Sequence, residues 1–264
     1  MHVLRRDMKG PDVKEWQHFL IGRRIDIGVA DGVFGKKTED GTKEFQKEQG
    51  LDVDGIVGNQ TLGEAMKLGF EAVKDPTDES KTGPNFPPPP ANLKALPNTA
   101  ARQRVFGKFA FKAAPRSGNP EHIIITDDFE VKNIVRVPIP QLVGVRGARP
   151  DGGVRFHRLA INQLVKLFGD WDRAKLIDRI LTFDGDFVPR FIRGSRTELS
   201  NHSFGSAFDI NAAFNVFGHM PALVGQKGET RDLVAIANEN GFFWGGHFKG
   251  RKDGMHFEIA KLIP

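Results

Sequence analysis

A proline-rich segment in the first half of the chain limits what it can fold into more than any other feature of its sequence. Residues 75–90 read DPTDESKTGPNFPPPP, and few of their side chains are able to build a packed core. The run of consecutive prolines favours an extended and stiff backbone. The segment therefore predicts a linker over residues 73–92, which separates a small unit at residues 1–72 from a larger one at residues 93–264.

The composition excludes several classes of protein. No apolar run is long enough to span a bilayer, which predicts no membrane partner. The absence of cysteine excludes disulfides and thiolate ligands, so a metal ion would have to be held by His, Asp or Glu. The net charge of +5 and the pI near 9.4 favour an anionic partner such as a wall polymer, a lipid surface or a nucleic acid. Nucleic acid is not expected, because no basic block is interleaved with aromatic residues.

The smaller unit has helical periodicity interrupted by glycine turns. We expect Asp12 to cap a first helix and a second helix to end at Gly50. Asp31–Gly35 and Asp54–Gly58 are Asp-Gly-x-x-Gly turns, each followed by x-x-Thr, and they form a weak internal repeat. The residues at helical spacing are Val13, Trp16, Phe19 and Leu20, then Thr38, Thr42 and Phe45, then Thr61, Leu62, Ala65 and Met66. A small three-helix bundle is predicted.

These motifs resemble the peptidoglycan-binding domain of the three-helix type. The similarity runs from Asp31 to Thr38, through Phe45-Gln46, and from Gly50 to Thr61. It implies binding of wall glycan or stem peptide in a shallow groove, with bacterial peptidoglycan as the partner. Most of the motif glycines are structural, so no side chain is assigned to the ligand.

The larger unit alternates short β-like runs with helical ones. Residues 123–125 and 134–137 predict strands, and residues 232–240 predict a helix. Residues 156–181 predict helical structure that Gly169-Asp170 breaks into two helices. Because no parallel β-α-β unit is evident, the fold class is predicted to be α+β with an antiparallel sheet.

Two stretches of the larger unit contain the residues suited to catalysis. His202 and Asp209 lie seven residues apart, with Gly205 expected to turn the chain between them and Asp209 on a predicted strand. This pair alone is more typical of the protein surface. His256 adds a third metal ligand, and Asp253 precedes it by three residues. Catalytic zinc uses three protein ligands and leaves one position for water, while a nearby carboxylate moves the proton.

At this point the chain resembles the family of zinc D-Ala-D-Ala carboxypeptidases and L-alanyl-D-glutamate peptidases, whose fold is shared with hedgehog. The family motif Ser-x-His-x-x-Gly-x-Ala-x-Asp, followed later by a carboxylate, two residues and His, is matched by Ser200, His202, Gly205, Ala207, Asp209, Asp253 and His256. The resemblance covers about residues 145–262. It implies that His202, Asp209 and His256 bind Zn²⁺ and that Asp253 is the catalytic carboxylate.

The resemblance also indicates which bond is cut. Aspartate at position 253 is similar to the L-Ala-D-Glu endopeptidases, whereas the carboxypeptidases mostly use glutamate. An arginine ahead of the motif binds the scissile carbonyl in this family. Arg190, Arg193 and Arg196 all precede the motif here, and Arg193 fits best.

The function predicted from the sequence is therefore a monomeric, zinc-dependent L-alanyl-D-glutamate endopeptidase that acts as an endolysin. Two alternatives stay open, a D-alanyl-D-alanine carboxypeptidase and a wall-binding or effector module without catalytic activity. The charged first residues show no apolar signal segment. We expect synthesis in the cytoplasm and release to the wall by a holin or a secretion machine.

Other polar residues are given lesser roles. His247 is expected at the rim of the pocket, and His157 and His219 are expected to be structural or superficial. Glu258 is a candidate for holding a ligand histidine from behind. Trp244 is expected in the core or along the substrate cleft.

Overall fold

The computed structural model describes residues 4–70, 86–117 and 119–263, and these contain two separate hydrophobic cores. Residues 73–85 of the predicted linker lie outside this described part. Phe86, also assigned to the linker, is buried in the larger core against Trp244. The packing of the larger unit therefore extends back into the predicted linker.

The smaller unit contains the three predicted helices, packed around Trp16. Its indole Nε1 donates to Thr42 Oγ1 at 2.8 Å, and its ring contacts Phe19, Phe45 and Phe70 at centroid distances of 5.3 to 5.6 Å. The helices are α1 (Pro11–Gly22), α2 (Lys36–Glu48) and α3 (Asn59–Lys67). The predicted cap at Asp12 is wrong, because α1 begins at Pro11 after Gly10 and no side chain caps it.

Two buried glutamines explain the internal repeat. Gln17 Nε2 donates to Asp31 Oδ1 and Thr38 Oγ1 at 2.9 Å, and its Oε1 accepts from the backbone of the first turn. Gln46 makes the same contacts with Asp54 at 2.7 Å and with Thr61 at 3.0 Å in the second turn. The aspartates and threonines of the repeat are therefore bound to buried glutamines by hydrogen bonds that shape the two turns.

The larger unit is α+β and its sheets are antiparallel, as predicted. Its strands form two hairpins, β1-β2 and β3-β4, and a four-stranded sheet in the order β5-β6-β8-β7. The helices are α4 (Thr99–Phe106), α5 (Phe129–Asn133), α6 (Ile161–Arg173) and α7 (Val234–Glu239). The strands are β1 (Phe111–Ala113), β2 (Ile123–Ile125), β3 (Ile134–Pro138), β4 (Gly153–His157), β5 (Phe183–Gly185), β6 (Ala207–Ile210), β7 (Phe242–Trp244) and β8 (His256–Ile259).

The predicted helix break at Gly169-Asp170 is wrong, because α6 runs through both residues. A glycine inside a helix costs about 1 kcal/mol relative to alanine. The apolar face of α6 outweighs this cost, since Leu164, Phe168 and Trp171 are completely buried against the sheet. The helix ends before Lys175, whose φ of 58° is left-handed.

The pairing of β6 with β8 positions the polar residues of the site. Phe208 and Phe257 lie opposite each other and face the core, where both contact Trp171. Because side chains alternate along a strand, Asp209 and His256, which are also register partners, face away from that core. None of the helices in the described ranges is both long and apolar enough to cross a bilayer.

Candidate metal centre

Three side chains converge on one point above β6 and β8. His202 Nε2 lies 3.2 Å from His256 Nδ1 and 3.2 Å from Asp209 Oδ2, and His256 Nδ1 lies 2.9 Å from Asp209 Oδ1. The potential ligand atoms of this group all lie within 4.8 Å of one another. The two predicted histidines and the predicted aspartate are thus brought together.

The second nitrogen of each histidine has a partner that fixes which nitrogen faces the centre. His202 Nδ1 lies 2.6 Å from the carbonyl oxygen of Asp186, so this nitrogen carries the proton. His256 Nε2 lies 3.0 Å from Glu258 Oε2. The lone pairs of His202 Nε2 and His256 Nδ1 therefore point to the same place as the Asp209 carboxylate.

This donor set fits zinc. Ligand atoms at 2.0–2.1 Å from a tetrahedral ion lie about 3.3 Å from one another, close to the separations between these three side chains. Two imidazoles and one carboxylate are donors that a catalytic zinc ion uses, and both histidines have the outer partner that ligand histidines usually have. The residues present are therefore suited to hold Zn²⁺ with one position left for water.

Local structure holds His202 in place. It lies in a 3₁₀ turn, Asn201–Phe204, that the Ser200 hydroxyl caps by accepting from the His202 backbone at 3.3 Å. Gly205 ends the turn with a φ of 62°, and a Cβ at this position would lie 3.0 Å from the backbone nitrogen of His157. The predicted turn at Gly205 is confirmed, and both its conformation and its close packing require glycine.

Asp253 lies beside the three ligands in the same cleft. Its backbone nitrogen donates to Gly245 at 3.0 Å, and a side chain at Gly245 would overlap Asp253. Its Oδ1 is buried without a hydrogen-bond partner in the described structure. A buried carboxylate oxygen without a partner is what a proton-transfer residue presents to its substrate.

The two aspartates of the site, Asp209 and Asp253, have pKa values shifted in opposite directions. Burial raises the pKa of Asp253 to about 7 in the absence of a metal ion, and this effect outweighs the opposing charge of His256. Burial also acts on Asp209, but the two histidines outweigh it and hold the pKa of Asp209 well below its usual value. Asp209 is therefore suited to remain an ionised ligand, whereas Asp253 is suited to exchange a proton near neutral pH.

The three candidate arginines are placed differently. Arg193 and Arg190 both line the cleft, and Arg193 is the more exposed. Ser203 Oγ accepts from the Arg190 backbone nitrogen at 2.8 Å and donates to its carbonyl at 2.6 Å, which fixes Arg190 next to His202. The charge of Arg190 acts on Asp209 and Asp253. Arg196 instead donates to the Pro120 carbonyl and is outside the cleft lining.

The remaining polar predictions have mixed outcomes. Glu258 is buried and contacts His256 on the side away from the centre, which is the position predicted for a residue that holds a ligand histidine. His157 is buried and its Nε2 lies 3.1 Å from the Phe106 carbonyl, which is a structural role. His247 is not at the pocket rim, because its Nε2 contacts the Pro87 carbonyl at 2.7 Å and its ring packs on Trp244. Trp244 is a core residue.

Sequence reasoning missed residues that support the ligands from behind. Asn201 Nδ2 donates to Glu258 Oε2 at 2.5 Å and orients that carboxylate. Asn211, by contrast, shapes the loop directly after β6, as its position predicts, with a φ of 55° and a buried Oδ1 that accepts from Leu181 at 2.8 Å. An asparagine just after a strand is a known signal for such a left-handed turn, whereas the carbonyl supplied by Asp186 leaves no signal in residue type.

A His-Asp-His centre with an adjacent carboxylate in an open cleft defines a site of the metallopeptidase kind. Residues 193–259 match a family model described as D-alanyl-D-alanine carboxypeptidase. Residues 9–64 match a family model described as a peptidoglycan-binding domain. The two matches confirm both resemblances, and together they support a peptidase that acts as a peptidoglycan hydrolase.

Proposed function

We propose that the chain is a zinc-dependent endopeptidase that cuts peptidoglycan stem peptides between L-alanine and D-glutamate. The observation that carries this proposal is the convergence of His202, Asp209 and His256 next to Asp253, whose Oδ1 has no partner among the described residues. That arrangement pairs a site for a Lewis acid with a carboxylate able to exchange a proton. The non-catalytic alternative leaves this buried and unpartnered carboxylate unexplained.

Each side chain has a definite task in this proposal. Zinc, when bound, would supply Lewis acidity to the site. Asp253 takes a proton from the attacking water and later passes it to the amine that leaves. Arg193, together with Arg190, faces the carbonyl oxygen as negative charge develops there, and one such fixed charge typically contributes a few kcal/mol. His202, Asp209 and His256 hold the metal.

The smaller unit is proposed to keep the enzyme on the wall. Its resemblance and its family match give peptidoglycan as the ligand, and the net charge of +5 suits an anionic wall. A tethered catalytic unit meets nearby stem peptides at a raised local concentration. We further propose a monomer that is made in the cytoplasm and released to the wall, as an endolysin is.

A D-alanyl-D-alanine carboxypeptidase is the second candidate, favoured by the description of the family model that residues 193–259 match. It predicts removal of the terminal alanine and an intact L-Ala-D-Glu bond. The aspartate at position 253 favours the endopeptidase, because the resemblance associates aspartate at this position with cleavage between L-Ala and D-Glu.

Mass spectrometry of digested wall distinguishes the two candidates. Purified peptidoglycan is incubated with the full-length chain and zinc, and the soluble products are identified. The endopeptidase produces peptides that begin with D-glutamate, whereas a carboxypeptidase releases only free D-alanine. Asp253→Asn is the matched control, because it keeps the side-chain shape and removes the proton-transfer group. Products identical for this variant and the wild type would contradict the catalytic assignment.

Release to the wall can be tested in cells. Expression of the full chain in the bacterial cytoplasm should leave the cells intact, because the substrate lies outside the membrane. Co-expression of a holin should then cause lysis, and lysis without any release factor would contradict the proposed endolysin role.

A further inference from the structure

The cleft that holds the metal centre has walls from both units. It has a volume of about 1160 Å³ and contains Asp209, Asp253 and His256 on one side. The opposite side is lined by α1 and the loop that follows it, including Lys14 and Val29. A unit that served only as a distant tether would not be expected to line the catalytic cleft.

Close packing joins the two units beside the metal centre. Phe214, in the loop that follows β6, lies against Gly69 of the smaller unit on one side and Gly228 of the larger unit on the other. A Cβ at either glycine would overlap its ring. At the end of α1, a Cβ on Gly22 would lie 3.0 Å from Val216 Cγ2. The same loop therefore continues from the strand of Asp209 into the contact with the smaller unit.

Polar contacts extend this interface between the two units. The rings of His18 in α1 and His219 in the larger unit have centroids 3.9 Å apart. Arg24, just after α1, lies 4.0 Å from Asp184 of β5, the strand that pairs with β6. The interface between the two units thus connects α1 directly to the sheet that carries Asp209.

Both units contribute exposed basic side chains to the cleft. Lys14 is exposed on α1, and its charge reaches His18 and His219. On the other side, Arg251 stacks on Phe217 and donates to the carbonyl of Arg193 at 3.2 Å. Basic groups that the two units contribute to one cleft favour a ligand that carries negative charge.

We propose that the smaller unit forms one wall of the catalytic cleft and that Lys14, together with Arg251, binds a carboxylate of the peptide substrate away from the bond that is cut. This proposal rests on the proposed function, since it needs an acidic stem peptide as substrate. It assigns to the smaller unit a direct part in substrate selection in addition to wall attachment. The predicted consequence is that a charge on α1 controls hydrolysis of substrates too small to need a tether.

The kinetic test uses a soluble disaccharide-tetrapeptide, so that attachment to the wall does not enter the measurement. Lys14→Glu should lower kcat/KM by roughly three- to tenfold, mainly through KM, and the effect should shrink as salt is raised. Lys47→Glu is the matched control, because Lys47 is also exposed on a helix of the smaller unit and does not line the cleft. Equal kcat/KM for the two variants would overturn the proposal. No hydrolysis by the wild type would instead contradict the proposed function.

An engineered disulfide tests whether the smaller unit packs against the larger one in this way. The chain contains no cysteine, so a single engineered pair is unambiguous. A Cβ on Gly22 would lie 3.5 Å from Ala213 Cα, so the two Cα atoms are at most about 5 Å apart, inside the limit of about 7 Å beyond which a disulfide cannot form. Oxidised Gly22→Cys/Ala213→Cys should form the bond and still hydrolyse the soluble substrate, with each single variant and Gly22→Ala as controls. Failure to form the bond, or a locked enzyme that regains activity only on reduction, would overturn the proposal.

Discussion

Glu258 should control how tightly the centre binds zinc, although it is not one of the three ligands. The proposed perturbation is Glu258→Gln, which keeps the size of the side chain and removes its charge. In the wild type, Oε2 lies 3.0 Å from His256 Nε2 and accepts from Asn201 at 2.5 Å. The carboxylate therefore holds the proton on Nε2 and leaves Nδ1 free to face the metal.

The carboxylate of Glu258 contacts His256 and Asn201, and an amide replaces both contacts poorly. These two contacts set the expected loss of zinc affinity. Loss of an outer carboxylate partner typically weakens metal affinity about 10- to 100-fold, which corresponds to about 1.4–2.8 kcal/mol. The variant also removes a buried negative charge that acts on Arg102, whose Nη1 lies 3.9 Å from Glu198. We therefore expect a lower melting temperature as well as weaker zinc binding.

Zinc affinity is measured by competition with a chromogenic chelator, at a temperature where circular dichroism shows the variant to be folded. Glu239→Gln is the matched control, because Glu239 is exposed at the end of α7 and should leave affinity unchanged. A Glu258→Gln protein with the zinc dissociation constant of the wild type would refute the role given to this residue.

Three further results are expected. Asp253→Asn should lower hydrolysis of the soluble muropeptide by about 10²-fold or more while zinc content stays at one per chain, because the proton-transfer group is lost and the ligands are not. Arg190→Gln and Arg193→Gln should both lower kcat by roughly 10-fold or more, with the larger effect at Arg190 because its charge is less exposed. Acid should weaken folding through His157, because burial lowers the pKa of this ring from 6.5 to about 4. The folded state prefers the neutral ring, so this contribution is complete above pH 6.5 and is lost between pH 6.5 and 4, by about 3 kcal/mol.

Each of these results has a clear contrary outcome. Wild-type turnover by Asp253→Asn would remove the proton-transfer role. If Arg193→Gln lowered kcat and Arg190→Gln did not, Arg190 would have no part in binding the oxyanion. Denaturant unfolding of His157→Gln at several pH values should give a shallower pH dependence than the wild type. Equal slopes would show that other groups cause the acid sensitivity.

The three residues of the candidate metal centre could be predicted from the sequence because their motif resembles that of a known peptidase family, and the strands then explain why two of them meet. Asp209 lies within a short strand, and His256 begins another strand that pairs with it in register. Alternation of side chains then fixes both on one face. Gly205 was predictable for a similar local reason, since a left-handed turn was needed between His202 and the strand.

Other features depend on contacts distant in the sequence. Local residue preference places a break at Gly169, but burial of Trp171 and its neighbours keeps α6 intact. His247 lies next to a site motif, yet the Pro87 carbonyl holds it elsewhere. The outer partners Asn201 and Asp186 are recognisable only when the ligands are seen in space, and the cleft wall formed by α1 depends on the docking of two units.

The most direct test of the central claim is a zinc titration of the metal-free full-length chain, with hydrolysis of the soluble disaccharide-tetrapeptide as the readout. We expect no activity without zinc and a rate that saturates at one zinc ion per chain. In His256→Ala, which lacks one of the three ligands, added zinc should not restore the rate. Full activity in the metal-free protein, or an undiminished zinc response in His256→Ala, would contradict a metal centre built by His202, Asp209 and His256.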